Sequence, residues 1–597
     1  MTAFDPNTGD QRARGARPAL QVLAGVLIGV LLTTLILGML MSRRAGSGAS
    51  GPEAEFARAV DLSPLDRSAV HAEGRIKSFD SFAQEIVGAI VGPKRPDGLG
   101  ADFLYLDLML RPGDWAERDI IFVKNKPMRA EIARALTSAG VESARADAFV
   151  KSGRIAAPLL AGEGVERLKS RWSADIVRTA KFVDALDAAL ILRQPNVLSG
   201  HLAMIPPPSG RADEPWIPLT EVWSPAPQMR ATGSRLDGAS PELRTNLSRT
   251  WSGFVEAWRA RDAARANTAL AEFCSLLPHS APALYPSRQR LMLESWYFKA
   301  GSVTWGWVIY LVALIFLLMG LIYRWEGARR AGIGVFLVGF TIHTVALAWR
   351  WYVSGRWPNS NMFEAVTTSV WLGTILAIVV EFAARRSPMR GLFALGAAAA
   401  SMFGLMSAHF ASPLSPSINN MMPILHDLWL YIHTNVIITS YALIAMAAVT
   451  AVIYVVVRLM GGPPDFARAG GAGALIEASG ESGSGNGAAL RPRARSIGEI
   501  LDGATMVLME LSFVLLWAGL VMGAIWADHS WGRPWGWDPK EVFALNTFLV
   551  FLILVHVRLK ARDKGLWTAL LAAAGCGVML FNWIVINFVI SGLHSYA

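Results

Sequence analysis

Apolar residues fall into nine long runs along the chain, and one long segment, 45–300, lacks such a run. The runs occupy 19–41, 303–323, 332–350, 363–383, 391–410, 427–457, 500–527, 541–558 and 566–590. Each has close to, or more than, the roughly 20 residues that an α-helix needs to cross a bilayer. The pattern predicts an all-α polytopic membrane protein with about nine transmembrane helices.

The run at 19–41 predicts a transmembrane anchor behind a short cytoplasmic N-terminus, residues 1–18. An uncleaved anchor is favoured because a secretory signal has a shorter apolar stretch and a small-residue cleavage site; a cleaved signal is the alternative. Within 45–300, apolar residues at about 160–193 and 241–278 recur at helical spacing. We expect this segment to be a largely helical, water-exposed domain with one core or two subdomains.

Basic residues alternate between the loops of the apolar C-terminal half. The loops rich in Arg and Lys are 324–331, 384–390, 458–498 and 558–565. The intervening loops carry only Arg356, Arg533 and Lys540. By the positive-inside rule the basic loops are cytoplasmic, so the N-terminus lies inside, whereas residues 45–300 and the C-terminus lie outside. The Gly- and Ser-rich stretch within 461–498 is predicted to be a flexible cytoplasmic loop.

Composition supports the membrane assignment and excludes other classes. Only 17% of the residues are charged, against about 25% in soluble domains. The net charge of +10 comes from basic residues in short loops, which indicates topology rather than nucleic-acid binding. The two cysteines, Cys274 and Cys576, lack CxxC spacing. The chain itself therefore carries no predicted disulfide framework, zinc site or covalent c-type haem site.

The most informative polar segment reads WADHSWGRPWGWDPKE, at 526–541, and is predicted to be an outward-facing loop. Its tryptophans are Trp526, Trp531, Trp535 and Trp537. An aromatic belt would spread tryptophans over many helix ends, whereas the glycines and the proline here allow a tight turn that presents several indoles on one surface. Such a platform suits a flat apolar macrocycle with polar edges. Asp538 either orients an indole or caps the following helix.

Histidines on the same predicted side are candidate ligands for haem iron, since neutral imidazole is a common axial ligand. His433 lies about two turns into its span from the outer surface, and His594 follows the last span. Two histidines from separate helices beside a tryptophan platform are able to ligate iron from both faces. His409, His426 and His529 are alternatives on the outward side.

A second, membrane-embedded haem site is predicted from His343, near the middle of its span, and His556, one turn before a basic loop. Ionisable residues inside a span are costly and are functional candidates by default. The plainer interpretation of His343 is a core histidine bonded to a neighbouring helix. For His556 it is an interfacial histidine.

Two arginines near the outer end of the third span are candidates for pairing with haem propionates. Arg350 and Arg356 lie in the stretch WRWYVSGRWPNSNMFE. Guanidinium binds carboxylate in bidentate fashion, which suits the propionates. Snorkelling at a helix end is the alternative for each arginine.

Together these motifs resemble a known family. The WGRPWGWDPKE segment is similar to the WWD signature of haem-handling proteins in cytochrome c biogenesis, and its WDPKE ending resembles the CcsA (ResC) branch. Three further stretches agree in order: HTVALAWRWYVSGRWPNSNMFE at 343–364, WLYIHTNVIITSYAL at 429–443 and GLHSYA at the C-terminus. The resemblance covers about 303–597. Residues 45–300 do not resemble a full CcsB (ResB) domain, although GRIKSFDSFAQEIV at 74–87 is similar to a stretch before CcsA in some extended versions.

The resemblance implies a CcsA-like membrane domain at 303–597 that binds haem b non-covalently. It matches His433 and His594 to the external haem ligands, and His556 to a transmembrane ligand whose partner is usually supplied by CcsB; His343 is a weaker candidate for that partner. It also implies a bacterial inner-membrane location. The expected partners are an apocytochrome c with its CxxCH segment, a CcsB/ResB-like subunit, thiol-reducing proteins and membrane lipid, but no nucleic acid.

The leading functional hypothesis is a cytochrome c synthase (haem lyase) or an essential component of one. Haem moves to the outer site between His433 and His594, where client thiols add across its vinyl groups. A haem transporter or chaperone without ligase activity needs the same iron ligands and is the first alternative. A membrane scaffold with the Trp-rich loop as a protein docking surface is the second.

Overall fold

The computed structural model describes residues 7–44, 53–175, 178–223, 235–411, 414–421, 425–468, 496–587 and 590. The chain divides into two compact units, Met1–Leu37 with Gly301–Ala597, and Gly38–Ala300. The first fourteen helices are α1 (Asn7–Arg44), α2 (Ala54–Ala59), α3 (Ser63–Asp66), α4 (Phe79–Val91), α5 (Ala101–Leu110), α6 (Lys126–Ser138), α7 (Ser143–Ser152), α8 (Ala157–Leu160), α9 (Glu163–Ser173), α10 (Ala180–Leu192), α11 (Pro195–His201), α12 (Pro241–Arg259), α13 (Ala263–Leu276) and α14 (Arg288–Lys299). The remaining eight are α15 (Trp307–Ile322), α16 (Glu326–Ser354), α17 (Met362–Ala383), α18 (Leu392–Phe410), α19 (Leu428–Leu459), α20 (Ile497–Trp531), α21 (Pro539–Lys560) and α22 (Lys564–Phe581).

Nine helices within the described residues are long and apolar enough to cross a membrane, namely α1 and α15 to α22. The prediction of an all-α polytopic membrane fold with about nine spans is confirmed. Helix α19 is central, because it forms its most extensive contacts with α20 and also contacts α17, α18 and α22. Glycines let α1 approach α16 closely: a Cβ on Gly334 would lie 3.0 Å from the Cα of Gly25, as small residues do in membrane helix pairs.

Polar side chains fix where the long helices begin. Asp427 accepts hydrogen bonds from the first backbone amides of α19. Ser496 and Glu499 form a capping box at the start of α20. These caps satisfy amides that have no partner inside the helix.

Short connections reverse the chain direction between neighbouring spans of the membrane unit. Residues 355–361 and 532–538 therefore lie at one end of the bundle, together with the start of α19. Residues 323–325 and 384–391 lie at the opposite end, together with the start of α20. The two ends differ in charge, because the second carries most of the arginines.

Part of the predicted flexible loop is held against the bundle. The Asp465 carbonyl accepts a hydrogen bond from Tyr454 Oη at 3.0 Å. Arg558 Nη2 donates to the Ala467 carbonyl at 2.8 Å. These two carbonyls are therefore bonded to side chains of the spans, and the flexibility of the loop as a whole stays a prediction. The Gly- and Ser-rich residues 469–495 lie outside the described residues.

The Gly38–Ala300 unit consists largely of helices around one large hydrophobic core, with a small second cluster formed by Ala69, Trp216 and Leu291. Its strands pair as three antiparallel two-stranded sheets: β1 (Ala69–Ala72) with β2 (Arg75–Ser78), β3 (Ile121–Phe122) with β4 (Arg154–Ile155), and β5 (Ala203–Ile205) with β6 (Ile217–Pro218). The buried carboxylate of Asp107 accepts hydrogen bonds from the indoles of Trp115 and Trp258, both at 2.8 Å. It also binds Arg111, so the buried charge is paired.

Candidate functional site

A cavity of about 250 Å³ lies at the end of the membrane unit that holds residues 355–361 and 532–538. Helices α17, α19, α20 and α21 line it, together with the π-helical turn Asn582–Ile586 that follows α22. Its apolar lining includes Met362, Ile437, Ile438, Leu520, Ala524, Ala544, Trp535 and Trp583. Its polar lining includes Asn359, Asn361, His433, Thr434, Lys540, Glu541, Asn582 and Asn587. Although about half of these residues carry a polar group, most of the surface that faces the cavity is apolar, which suits a ligand of matching character.

The imidazole of His433 is fixed between two helices. Its Nδ1 lies 2.8 Å from the Gly519 carbonyl oxygen on α20. A carbonyl only accepts, so Nδ1 is the protonated nitrogen. The ring also occupies the space that Gly523 leaves open, because a Cβ there would lie 2.6 Å from His433 Cε1. A glycine at this position is therefore needed for the ring to lie in the cavity wall.

The loop before α17 is tied to α19 beside His433. Trp357 Nε1 donates to Asn435 Oδ1 at 3.0 Å, and Asn359 Nδ2 donates to Thr434 Oγ1 at 2.5 Å. The two acceptors follow His433 directly along the helix. These contacts hold one rim of the cavity at a fixed distance from the imidazole.

The four tryptophans of the 526–541 segment do not share one surface. Helix α20 extends to Trp531, where Gly532 ends it in a left-handed conformation, so Trp526 and Trp531 lie on the helix rather than in the loop. The Trp526 ring is buried and packs edge-on against Trp531 at 4.8 Å. Trp535 lines the cavity, whereas the Trp537 side chain is 73% exposed. The prediction that all four tryptophans lie in the loop is therefore wrong for Trp526 and Trp531.

Asp538 caps helix α21, which was one of the two roles open to it. Its carboxylate accepts a hydrogen bond from Lys540 N at 3.1 Å, and Asp538 and Glu541 together form a capping box. Glu541 Oε2 in turn accepts from the backbone amides of Gly536 and Asp538 at 2.9 and 3.1 Å. The carboxylates thus fix the loop that carries Trp535.

Arg350 and Arg356 meet at one buried carboxylate instead of at the cavity. Arg350 Nε donates to Glu364 Oε1 and Arg356 Nη1 donates to Glu364 Oε2, each at 2.8 Å. Arg350 is 1% exposed and also donates to the carbonyls of Pro416 and Ser417. Its donors are occupied by these acceptors, so the structure makes Arg350 an anchor for the loops at this end of the bundle and gives no support to propionate pairing.

The two histidines predicted to share a membrane site are not brought together. His343 is 4% exposed, packs edge-on against Tyr310, and lies beside the backbone of Thr367. Neither ring nitrogen makes a hydrogen bond of ordinary geometry within the described residues. His556, by contrast, is exposed on α21, with its Nδ1 2.9 Å from the Leu552 carbonyl. The structure thus shows an enclosed His343 ring on α16 and an exposed His556 ring on α21, and no contact joins the two rings within the described residues.

The remaining histidine candidates lie away from the cavity or beyond the described residues. His409 Nδ1 pairs with Thr304 Oγ1 at 2.8 Å, and His529 Nδ1 lies 3.9 Å from Asp427 Oδ2. His426 is exposed. None of the three lines the cavity in the part of the chain that the structure describes. His594 lies outside the described residues.

Several cavity residues were missed by sequence reasoning. Lys540 counted only as a loop charge, yet it lines the cavity. A cation in the first turn of a helix is unfavourable to the helix dipole, which is a signal that its position serves another purpose. Asn582, on the π-helical turn, donates to Tyr441 Oη at 2.9 Å. The sequence feature that could have identified Asn582 is its side-chain amide within an apolar span, since a polar group there is a functional candidate in the same way as a charged one.

The chain is similar to known proteins over the region that builds this site. Residues 359–594 match the family described as Cytochrome C assembly protein. The cytochrome c biogenesis protein CcsA of Thermosynechococcus vestitus is 30% identical over 323 residues, which cover 51% of this chain and 98% of that protein. CcsA of Prochlorococcus marinus strain NATL1A is 33% identical over 301 residues, 48% of this chain and 92% of that protein. CcsA of Synechococcus sp. strain CC9311 is 32% identical over 261 residues, which cover 42% of this chain and 83% of that protein.

A helical membrane bundle that encloses a histidine-lined cavity below a Trp-rich loop, with these matches, defines a multi-pass membrane protein of cytochrome c assembly. More narrowly, the chain belongs to the CcsA family of cytochrome c biogenesis proteins. Its role is therefore in cytochrome c biogenesis. The match to the Thermosynechococcus protein takes up about half of this chain.

Proposed function

We propose that the cavity beside His433 binds haem b as a substrate and presents it for attachment to the CxxCH segment of an apocytochrome c. The observation that carries this proposal is the His433 imidazole, held through Nδ1 by the Gly519 carbonyl in the wall of an apolar cavity. With the proton on Nδ1, the lone pair of Nε2 is the one suited to iron. A second-shell bond of this kind also fixes the ring orientation that an axial ligand needs.

The lining of the cavity fits the chemistry of haem. Trp535 and Trp583 offer aromatic surface to the porphyrin faces, and the aliphatic residues keep water away from them. Lys540 supplies a cation for a propionate. His594 is the second axial ligand in this proposal; it lies outside the described residues, so its role rests on the family resemblance.

A second haem position is proposed at His556. Its ring is exposed on α21, and its Nδ1 bond to Leu552 O leaves Nε2 as the coordinating atom. Because His343 is enclosed among helices, the other ligand comes from a CcsB/ResB-like subunit rather than from this chain. This position would receive haem before transfer to the His433 cavity.

The chemistry of attachment belongs largely to the haem. Each client thiol adds across a vinyl group: a sulfur–carbon bond forms, and the thiol hydrogen ends on the neighbouring vinyl carbon, so the addition needs no oxidant. Residues of this chain bind the substrate and orient its vinyl edge. Thiol-reducing proteins keep the client cysteines reduced. The chain thus acts as a cytochrome c synthase or as a component of one.

The proposed location is the bacterial inner membrane, with the His433 end of the bundle on the outer side. The basic residues at the opposite end support this orientation by the positive-inside rule. The N-terminus is then cytoplasmic, whereas the C-terminus and residues 45–300 are extracytoplasmic. A client that folds outside the cytoplasm reaches the cavity directly in this arrangement.

Co-expression with a CxxCH client tests the proposal. The full chain is produced with the client in cells that lack another attachment system, and client haem that survives denaturation is measured. We expect covalent haem with the wild-type chain, and its loss in His433→Ala but not in the exposed control His426→Ala. Haem bound to the chain without attachment to the client would favour a transporter or chaperone. Purified protein without haem would favour a scaffold.

A further inference from the structure

A second cavity, of about 570 Å³, lies at the end of the membrane unit opposite to His433. The α15–α16 connection, the α17–α18 connection and the first turn of α20 contribute to it. Its charged lining residues are Arg324, Arg329, Arg386, Arg390 and Glu326. Its apolar lining includes Leu317, Leu321, Leu395 and Ile500. The cavity thus joins a strongly basic wall to an aliphatic one.

Close packing around the aliphatic part of its side chain holds Arg329 in place. A Cβ on Gly391 would lie 3.0 Å from Arg329 Cδ, and one on Gly320 would lie 2.7 Å from Arg329 Cβ. Both glycines therefore let other elements close on the side chain. Nη2 donates to Glu326 Oε2 at 2.5 Å, whereas the buried Nε makes no hydrogen bond within the described residues. The Arg329 guanidinium is therefore held in a fixed position, and its Nε–H has no acceptor among the described residues.

The other arginines leave a positive excess at this cavity. Arg390 donates to Glu326 Oε1 at 3.0 Å, and Arg330 Nη2 lies 3.8 Å from Glu326 Oε2, so the one carboxylate in the described lining already pairs with three guanidinium groups, including that of Arg329. Arg324 and Arg386 are exposed and form no ion pair with any residue that the structure describes. The lining thus holds four arginines and one glutamate, and Glu381 behind Gly391 also interacts electrostatically with Arg329. The positive excess that is left favours an anionic ligand.

We propose that this cavity binds the phosphate headgroup of an anionic phospholipid. Guanidinium groups bind phosphate oxygens in bidentate fashion, and several of them converge here from separate loops. The aliphatic wall suits the first carbons of the acyl chains, which a free phosphate would leave uncovered. Basic pockets of this kind at the cytoplasmic end of membrane helices match the negative charge of that leaflet. The site is separate from the proposed haem cavity and does not depend on it.

Native mass spectrometry of the purified full-length protein in detergent tests this site. The probes are phosphatidylglycerol and phosphatidylcholine with the same acyl chains. The variant is Arg324→Gln with Arg386→Gln, because removing these two groups breaks no described internal bond. Each arginine near an anionic headgroup contributes about a fivefold gain in affinity, so we expect the double variant to bind phosphatidylglycerol about 30-fold more weakly. Circular dichroism and size-exclusion chromatography check that the variant is folded.

The matched control is Arg385→Gln, in the same loop. Arg385 donates to the Phe382 carbonyl at 2.6 Å and does not line the cavity. It should retain wild-type affinity for phosphatidylglycerol. Equal binding of phosphatidylcholine, unchanged affinity in the folded double variant, or an equal loss in Arg385→Gln would each overturn the proposal. Complete displacement of phosphatidylglycerol by inorganic phosphate would reassign the site to a free phosphate and overturn the lipid assignment.

Discussion

Single residues decide how the His433 ring reaches the cavity. Gly523 provides its space, because a Cβ there would lie 2.6 Å from His433 Cε1. Gly523→Ala should push the ring off its rotamer at a cost of about 0.5–1.5 kcal/mol, which corresponds to about twofold to tenfold weaker haem binding. Haem absorbance per purified protein measures the effect. Gly577→Ala is the control, since a Cβ there meets nothing within 4 Å; equal losses in both variants would count against the role given to Gly523.

The sequence identified some of the cavity residues but not their surroundings. His433 and Trp535 belong to motifs with a recognisable pattern, and both line the cavity. The burial of Trp526 was not predictable from those motifs, because it depends on which face of α20 meets its neighbours. The pairing of Arg350 with Glu364 was hidden for a similar reason: the partners lie 14 positions apart on different helices.

At the level of helices, the cap of α21 positions the Trp-rich loop. Asp538→Ala removes the cap and should cost about 0.5–2 kcal/mol, with loss of haem as the loop loosens. Asp538→Asn should keep the stability and the haem content near those of the wild type, because asparagine is as effective a helix cap as aspartate. Thermal stability and haem content of the purified proteins are the measurements. Loss of haem in Asp538→Asn with unchanged stability would point instead to a direct role of the carboxylate at the ligand.

Helix types were easier to predict than helix ends. The run at 500–527 was correctly predicted as a span, but α20 continues to Trp531. Its end is set by Gly532, which adopts φ +68°, and Pro534 follows two residues later. The amphipathic stretch at 241–278 is likewise divided into α12 and α13, where Arg261 takes φ +55°. Hydropathy reports burial along a run and does not locate such local turns.

At the scale of the whole molecule, the stability of the Gly38–Ala300 unit should depend on pH through Asp80, and the unit should be more stable in acid. Burial raises the pKa of Asp80 to about 6, although Lys299 Nζ lies 3.9 Å away and Ser295 and Gln84 donate to the carboxylate. The folded form therefore holds a proton that the unfolded form releases near pH 4. Stability from this group is fully present below about pH 4 and is lost as pH rises through about 6, by about 3 kcal/mol.

Hydrogen exchange in the α4 amides of the full-length protein measures this effect. In Asp80→Asn the side chain stays neutral, so the decrease in protection between about pH 4 and 6 should disappear after correction for intrinsic exchange rates. Asp147→Asn, at an exposed position, should leave the decrease unchanged. A decrease of the same size in Asp80→Asn would assign it to other groups.

The number of spans followed from the sequence because bilayer thickness sets a minimum length for apolar runs. The Gly38–Ala300 unit was predictable only as largely helical. Its core depends on contacts distant in sequence, such as Trp258 Nε1 to Asp107 Oδ1 at 2.8 Å, 151 positions apart. Contacts of this kind leave no local pattern in the sequence.

Haem absorption spectra of the purified full-length protein test the central claim, that His433 ligates haem in the outer cavity. We predict that His433→Ala and His594→Ala each lose bound haem and that added imidazole restores it, since free imidazole replaces the missing ligand. His426→Ala, at an exposed histidine seven residues before His433 and away from the cavity, should match the wild type. Wild-type haem content and an unchanged spectrum in His433→Ala without imidazole would contradict the account.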